Sequence, residues 1–508
     1  MKTTQMNRRN FLKVSALTGG GLMLEMTLPS ALVAQELGTL IGSKELNVYV
    51  QIASDGTITI YSANAEMGQG IKTSLPMIIA EEMGAKWEDV VVLQAPIDSS
   101  KFGLQGAGGS TTIPRSFDLM RKMGASAREM LVGAASESME VKRQDLQAID
   151  SRVVHISGES LSFGELAALA VRQPVPDPEN LSFKDPRSYT IIGTSVGSVD
   201  NLVIATGKSQ FGIDVDVPDM KYASYTRSPR VGGIALSFNE AQIKKLPGVR
   251  DAFIVEPDDS AGEATMSFLK GLAVLRGGVA IVGDDTWSVF NAKSKLVVKW
   301  DNSGASDDDW AEMIVEGKRI AKQEQGEIRL DNTSVDAALA NSDNRTIESF
   351  YQFPYVAHVC MEPMNCTASY RKGSGAEPDA MDIWVPSQFP AQVKEIAENM
   401  LGIKQENVNV TGTRMGGGFG RRAVHDFAAE AMVISHRVEL PIKLTWTRTD
   451  DIHNDFFRAG GFENMKAAVD TNGKLQAWDQ HYIGFAHKGK PVIGSGLQGN
   501  ELSMTALS

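Results

Sequence analysis

Apolar and polar residues alternate through 46–52 and again through 57–62, on either side of Asp55-Gly56, which predicts two strands joined as a β-hairpin. From Gly70 to Met83 the apolar spacing is helical. The short apolar run Val90 to Leu93 reads as a buried strand. A longer helical pattern covers Pro114 to Met139, with Thr111 or Thr112 placed to cap it and Pro114 suited to its first turn. Residues 140–200 are mixed and include the proline-rich loop 174–178. Strands are expected at 211–215, 248–255, 279–283 and 296–300, with a helix from Asp284, so 205–300 reads as a separate α/β unit. The acidic run Asp307-Asp308-Asp309 and its polar neighbours read as a linker, 301–345. Regular structure resumes from Phe350 and includes a helix over 423–437.

Length and composition narrow the classes. At about 150 residues per domain, 508 residues suggest roughly three domains. Hydrophobic residues at 42% and charged residues at 22% are those of a globular chain, not a disordered one. Fifty basic against 62 acidic side chains leave a net charge of −12, so a nucleic-acid partner is not expected. The two cysteines, Cys360 and Cys366, are too few for an iron–sulfur cluster or a zinc site built on four cysteines in this chain.

The N-terminus, Asn7-Arg8-Arg9-Asn10-Phe11-Leu12-Lys13 followed by an apolar stretch to Leu28, resembles a twin-arginine export signal. It implies a periplasmic protein exported already folded, with an uncleaved signal tethering it to the inner membrane as the alternative. Glu25 interrupts the apolar stretch, which is short for a membrane span.

Several segments carry candidate chemistry. Arg414-Met415-Gly416-Gly417-Gly418-Phe419-Gly420-Arg421-Arg422 brings three adjacent glycines and two arginines to the start of an expected helix. The backbone there can approach a ligand closely and the helix amides can bind an anion; a tight turn before a packed helix explains the same residues. The spacing fits neither a Walker A loop nor a dinucleotide fingerprint. Glu66-Met67-Gly68-Gln69-Gly70 offers an amide side chain between glycines. Gly108-Gly109-Ser110-Thr111-Thr112 offers hydroxyls and amides at a helix start, for phosphate or for capping. Gln388, after Ser387, ends an apolar strand. His358 to Cys366 is oddly spaced for a metal site, and Asp450 to Asp455 reads as a solvated face.

Taken in order, Glu66-Met67-Gly68-Gln69-Gly70, Gly109-Ser110-Thr111-Thr112, Met361-Glu362-Pro363, Ser387-Gln388 and the run 416–422 resemble the molybdopterin-binding subunits of the xanthine oxidase/aldehyde oxidase family. Within that family the isoquinoline 1-oxidoreductase and membrane-bound aldehyde dehydrogenase type is the nearest likeness. The resemblance implies an α/β fold with mixed sheets. Its parts would be a signal at 1–35, a first molybdopterin-binding portion at 40–200, a small "hammerhead" α/β domain at 205–300, a linker at 301–345, and a second portion at 346–508, incomplete at the C-terminus. It implies molybdopterin cytosine dinucleotide as cofactor, with Gln69 and Gly70 at the pterin and Gly109, Ser110, Thr111 and Thr112 at the phosphates. Gln388 would lie at the molybdenum centre, Gly417, Gly418, Phe419 and Gly420 beside it, and Arg421 at the cofactor edge. The implied chemistry is hydroxylation of an N-heteroaromatic carbon, or oxidation of an aldehyde, with water as oxygen source. Electrons would pass to a small two-cluster iron–sulfur subunit, with a c-type cytochrome as a further partner.

One feature of the family is missing. Its base glutamate stands in a Gly-Val-Gly-Glu segment, and none occurs here. The 508-residue chain alone is therefore expected to be inactive and its catalytic residue unassigned. The other reading is an exported, non-catalytic scaffold that keeps the fold.

Overall fold

The computed structural model describes residues 44–260, 275–323, 334–487, 490–491 and 502–507. The twin-arginine segment lies outside the described residues. Two compact units are formed: one by residues 1–218, 382–394 and 408–417, the other by 219–381, 395–407 and 418–508.

The first unit is built on a four-stranded sheet of β1 (Lys44–Asn47), β2 (Val50–Ile52), β3 (Ile58–Ser62) and β4 (Val90–Gln94), in that order. β2 and β3 pair antiparallel across the expected hairpin, where Asp55 accepts the Thr57 amide at 2.9 Å and Gly56 takes a φ of 94°. The single strand expected over 46–52 is instead two strands. Asn47 turns its side-chain oxygen to the Tyr49 amide at 2.9 Å, a local bond that competes with extended pairing and folds the chain back on itself. Helices α1 (Ile71–Met83) and α2 (Thr112–Met139) cover the sheet, and Ile58, Ile60, Leu75, Ile79, Met123 and Leu131 lie in the shared core. The two helices approach closely at Gly124, where a Cβ would come within 2.4 Å of the Ile79 carbonyl oxygen. The small sheet β5 (Leu146–Ile149), β6 (Arg152–His155) and β7 (Ser160–Ser162) follows, with α3 (Phe163–Ala170), whose first turn is a full capping box between Ser162 and Glu165.

In the second unit β8 (Lys221–Arg227), β10 (Val249–Val255) and β11 (Gly278–Gly283) share a sheet with β14 (Asn365–Arg371) and β17 (Ile442–Thr445), in the order β10-β11-β8-β17-β14. β9 (Ile234–Phe238) pairs with β12 (Val298–Asp301), and α4 spans Thr286–Lys293. The strand expected at 211–215 is a single tight turn, Gly212–Asp214, closed by Asp214 on the Phe211 amide at 3.1 Å. The expected linker 301–345 carries two helices, α5 (Trp310–Ala321) and α6 (Val335–Ala340). Asp309 caps α5, and Trp310, Met313, Ile314 and Ile320 recur at helical spacing and pack around Phe462. The acidic run hides that helix in the sequence because one of its members is the cap. A further sheet holds β13 (Arg345–Phe353), β18 (Gly461–Val469) and β19 (Leu475–His487). β15 (Ala380–Val385) and β16 (Val408–Gly412) belong mainly to the first unit, and α7 (Asp426–Val438) and α8 (Arg448–His453) to the second. Among the described residues no helix is long and apolar enough to cross a membrane.

Candidate functional site

In the first unit four distant segments meet. The loop before α1 is organised by Glu66, which is 6% exposed. Its carboxylate accepts the amides of Gly68 (2.7 Å), Gly70 (3.3 Å) and Lys72 (2.9 Å), filling the anion seat at the start of the helix. Gly68 and Gly70 have φ of 101° and 81°, which glycine tolerates without strain. Gln69 closes the same loop, its oxygen accepting the Met67 amide at 2.7 Å and its nitrogen donating to the Ala65 carbonyl at 3.0 Å. One amide hydrogen and one lone pair of Gln69 remain beyond those two bonds.

The second segment, 104–112, is tied to the first by Asn64, which donates to the Gly106 carbonyl (2.8 Å), and by Gln105, which donates to that of Ala63 (3.2 Å). Gly109 and Ser110 are exposed and left-handed, with φ of 59° and 55°. Thr111 holds the N-cap position of α2 but does not cap it; its hydroxyl turns back to the Gly108 carbonyl at 3.0 Å. The expected capping is therefore absent, and the two amides of the first turn, those of Thr112 and Ile113 ahead of Pro114, have no side-chain cap and stay open to an outside acceptor.

The third segment is 386–392. The Gln388 side chain, on a residue 3% exposed, donates to the Ala107 carbonyl at 2.7 Å, and the Gln388 backbone carbonyl accepts the Ala107 amide at 2.9 Å. Phe389 lies on Gly106 and Gly108; a Cβ on Gly106 would stand 2.3 Å from its ring. The fourth segment enters at 413–417, where the Met415 amide donates to the Glu66 carbonyl at 3.3 Å. Arg414 lies 3.8 Å from the Glu66 carboxylate and 2.5 Å from Asp200, which also holds Lys72 at 2.9 Å. Thr413 Oγ1 and Gln392 Nε2 are buried with no hydrogen-bond partner among the described residues. Backbone cradles, open helix amides and two unsatisfied polar groups suit a polar, polyanionic ligand.

The division between units falls after Gly417, so the rest of the glycine run belongs to the second unit. Phe419 is 60% exposed and left-handed (φ 55°), and Gly420 has φ 101°. Arg421 departs from expectation. Its guanidinium is 1% exposed and gripped by Asp426 at 2.9 and 3.0 Å and by Asp455 at 2.8 Å, and it lies over the rings of Phe456 and Trp446 at 5.2 and 5.3 Å. Two carboxylates and two aromatic faces claim it, so it braces the loop from inside. Arg422 is likewise buried, donating to the Glu362 carbonyl at 2.7 Å. The expected anion site at the following helix is also absent. A short turn, Arg421–Ala423, intervenes, and α7 begins buried, with Asp426 in its own first turn. Burial pushes the Asp426 carboxyl up, but Arg421 and Arg227 together hold it down to about 2.

Sequence reasoning missed the acids beneath this loop. Asp450, Asp451 and Asp455 are buried, not solvated. Asp455 accepts from the His358 amide and imidazole and pairs ionically with Arg421. Glu430 accepts from Arg227 Nε at 2.7 Å and Trp446 Nε1 at 2.8 Å. Burial drives Glu430 up to about 7 against the pull of Arg227. The signal in the sequence was the pair Arg421-Arg422: buried cations require buried anions, and no local acid other than Asp426 could supply them. Val359, left-handed at φ 47° although β-branched, is a second strained residue beside Phe419. Such conformations cost about 1–3 kcal/mol each and persist where the surroundings enforce them. Cys360 and Cys366 are free and buried.

A profile described as a molybdopterin cofactor-binding domain matches residues 25–210, and a second profile of the same description matches 315–486. The chain is 27% identical to the isoquinoline 1-oxidoreductase subunit beta of Brevundimonas diminuta, over 92% of this chain and 62% of that one. It is 27% identical to a membrane-bound aldehyde dehydrogenase (pyrroloquinoline-quinone) of Gluconacetobacter polyoxogenes, over 93% of this chain and 60% of the relative. The chain thus spans less than two thirds of the length of these curated relatives. Among solved structures it is similar to quinoline 2-oxidoreductase from Pseudomonas putida 86, at 18% identity and a TM-score of 0.43, covering 57% of this chain and 39% of that one.

Proposed function

The chain belongs to the molybdopterin-binding subunits of the xanthine oxidase/aldehyde oxidase family, and from that premise we propose that it serves as the large-subunit part of a molybdenum hydroxylase. The observation that carries this reading is the meeting of four segments in the first unit, from Gln69 to Gly417, around open backbone groups and the unpartnered Thr413 hydroxyl. Gln69, Gly70, Gln388 and Gly417 would hold the pterin and metal end of the cofactor. Gly109, Ser110, Thr111 and Thr112 would hold the phosphates of a cytosine dinucleotide form, because the amides opening α2 are uncapped. When bound, the cofactor supplies two-electron oxidation of a carbon centre with water as the oxygen source.

The chain's own part is to bind and orient. Glu66 and Gln69 keep the first loop in shape, Gln388 fixes the second segment through Ala107, and Phe389 keeps water from the backbone of Gly106 and Gly108. Gly418, Phe419 and Gly420 would present the substrate-facing edge of the second unit, with Arg421 as its internal brace. The substrate would be an N-heteroaromatic compound or an aldehyde. A small two-cluster iron–sulfur subunit, and a c-type cytochrome after it, would take the electrons, and export by the twin-arginine route would place the protein in the periplasm.

The test is composition. The purified protein is expected to carry equimolar molybdenum and, after acid hydrolysis, equimolar cytidine monophosphate. Substituting Ser110 by glycine, which keeps the positive φ, and Thr111 by valine removes both hydroxyls and should lower the nucleotide content severalfold with little change in circular dichroism. Protein purified from a molybdenum-replete host with neither metal nor nucleotide would overturn the reading in favour of a scaffold.

A further inference from the structure

Two short segments of the second unit run alongside each other. The Cys360 thiol donates to the Gly418 carbonyl at 3.5 Å, and His358 Nε2 lies 3.7 Å from where a Cβ on Gly420 would stand. Residue 360 thus faces 418 and residue 358 faces 420. Between these two contacts stand Val359 and Phe419, both left-handed, 44% and 60% exposed. His358 and Cys360 turn inward, His358 with a side chain only 6% exposed.

A third segment enforces the strain. Asp455 accepts from the amide and Nδ1 of His358, the latter at 3.1 Å, and forms an ion pair with Arg421, 2.8 Å from its Nε. Three residues on, Arg458 donates to the Phe419 carbonyl at 3.2 Å and exchanges backbone bonds with Val356. Each strained residue is therefore pinned on a flanking residue or on its own carbonyl, by groups that reach both strands. Strain held so firmly on exposed apolar side chains is a reason to look for a ligand, since a packing role would have buried them.

We propose that Val359 and Phe419 form one apolar clamp for the flat face of an aromatic heterocycle, with Val359 as a specificity-determining residue; this rests on the hydroxylase reading and chooses between its two substrate classes. A phenyl ring and a β-branched side chain with restricted χ1 make a rigid wall that loses little entropy on contact. Neither clamp side chain offers a hydrogen-bond donor, which a small, hydrated aldehyde would need to give up its water.

Equilibrium dialysis of the purified, cofactor-loaded chain with isoquinoline and, separately, butanal tests this. Val359→Ala, which removes the wall and keeps the backbone, is expected to weaken isoquinoline binding by about tenfold and to leave butanal unchanged. Val359→Gly is expected to weaken isoquinoline to the same degree while raising the melting temperature, because it relieves the strained φ. An unchanged isoquinoline affinity in Val359→Ala, an equal loss for butanal, or no isoquinoline binding by the unsubstituted chain would overturn the clamp. Isoquinoline bound as expected by chain that, purified from a molybdenum-replete host, carries neither molybdenum nor cytidine monophosphate would overturn the hydroxylase reading and leave the clamp standing.

Discussion

Asp455 accepts from the His358 amide and imidazole and forms an ion pair with Arg421, whose two terminal nitrogens donate to Asp426. Removing one charge from such a buried set leaves the others without compensation, at a cost of about 3–5 kcal/mol. Asp455→Asn is therefore expected to lower the unfolding free energy read from urea titration by that order. A loss within a few tenths of a kcal/mol would show that the imidazole and guanidinium find other acceptors. The same residue shows what a sequence hides. The arginines were conspicuous because they follow glycines. Their partners were not, because an aspartate thirty-four positions away in a run of acids looks like a solvated surface until the fold buries it.

α1 carries two adjacent buried acids, Glu81 and Glu82, which fasten the stretch 184–192 to the helix. Glu81 accepts the amides of Thr190, Ile191 and Ile192 at 2.9, 2.7 and 3.2 Å and pairs with Lys184. Burial pushes its pKa up, but Lys184 and those amides outweigh it and hold the group below the ordinary 4.5. The carboxylate therefore stabilises the fold fully above pH 4.5, and that contribution is lost as pH falls through the depressed value. Glu81→Gln should cost about 1–3 kcal/mol at neutral pH and flatten the acid limb of the stability profile. Urea unfolding at a series of pH values would read both effects, and parallel acid limbs in the two proteins would exclude the assignment. At this scale periodicity served well where the apolar face is continuous, as in α1 and α2. It failed where one polar residue acts on the backbone: Asn47 folding a strand into two, Asp309 capping a helix inside an apparent linker.

At the scale of the whole molecule, Glu430 of the second unit answers pH in the opposite sense to Glu81 of the first. Glu430 in the second unit sits at about 7, above its ordinary 4.5, so what it adds to stability is present below 4.5 and lost as pH rises through 7. Glu430→Gln is expected to remove that decline, raising the melting temperature at pH 8 relative to pH 6 compared with the unsubstituted chain; an unaltered decline would assign it elsewhere. The candidate site was legible in a similarly divided way. Gln69, Gly70, Gly109 to Thr112, Gln388 and Gly417 stand out in the sequence as glycine, hydroxyl and amide residues in loops, and the segments that carry them meet in the first unit. Arg421 was misplaced because charge beside glycine looks ligand-directed from sequence, whereas burial assigns it inward. Val359 left no trace, since nothing in a valine announces a positive φ.

The carboxylate of Glu66, seated on the amides of Gly68, Gly70 and Lys72, has a bearing on how the protein is assembled. The chain supplies its own counter-charge there and so finishes that curve of backbone before any visitor comes. A large, labile prosthetic group then meets a rigid receptacle instead of a segment that must fold around it, and little ordering is left to be done on its arrival.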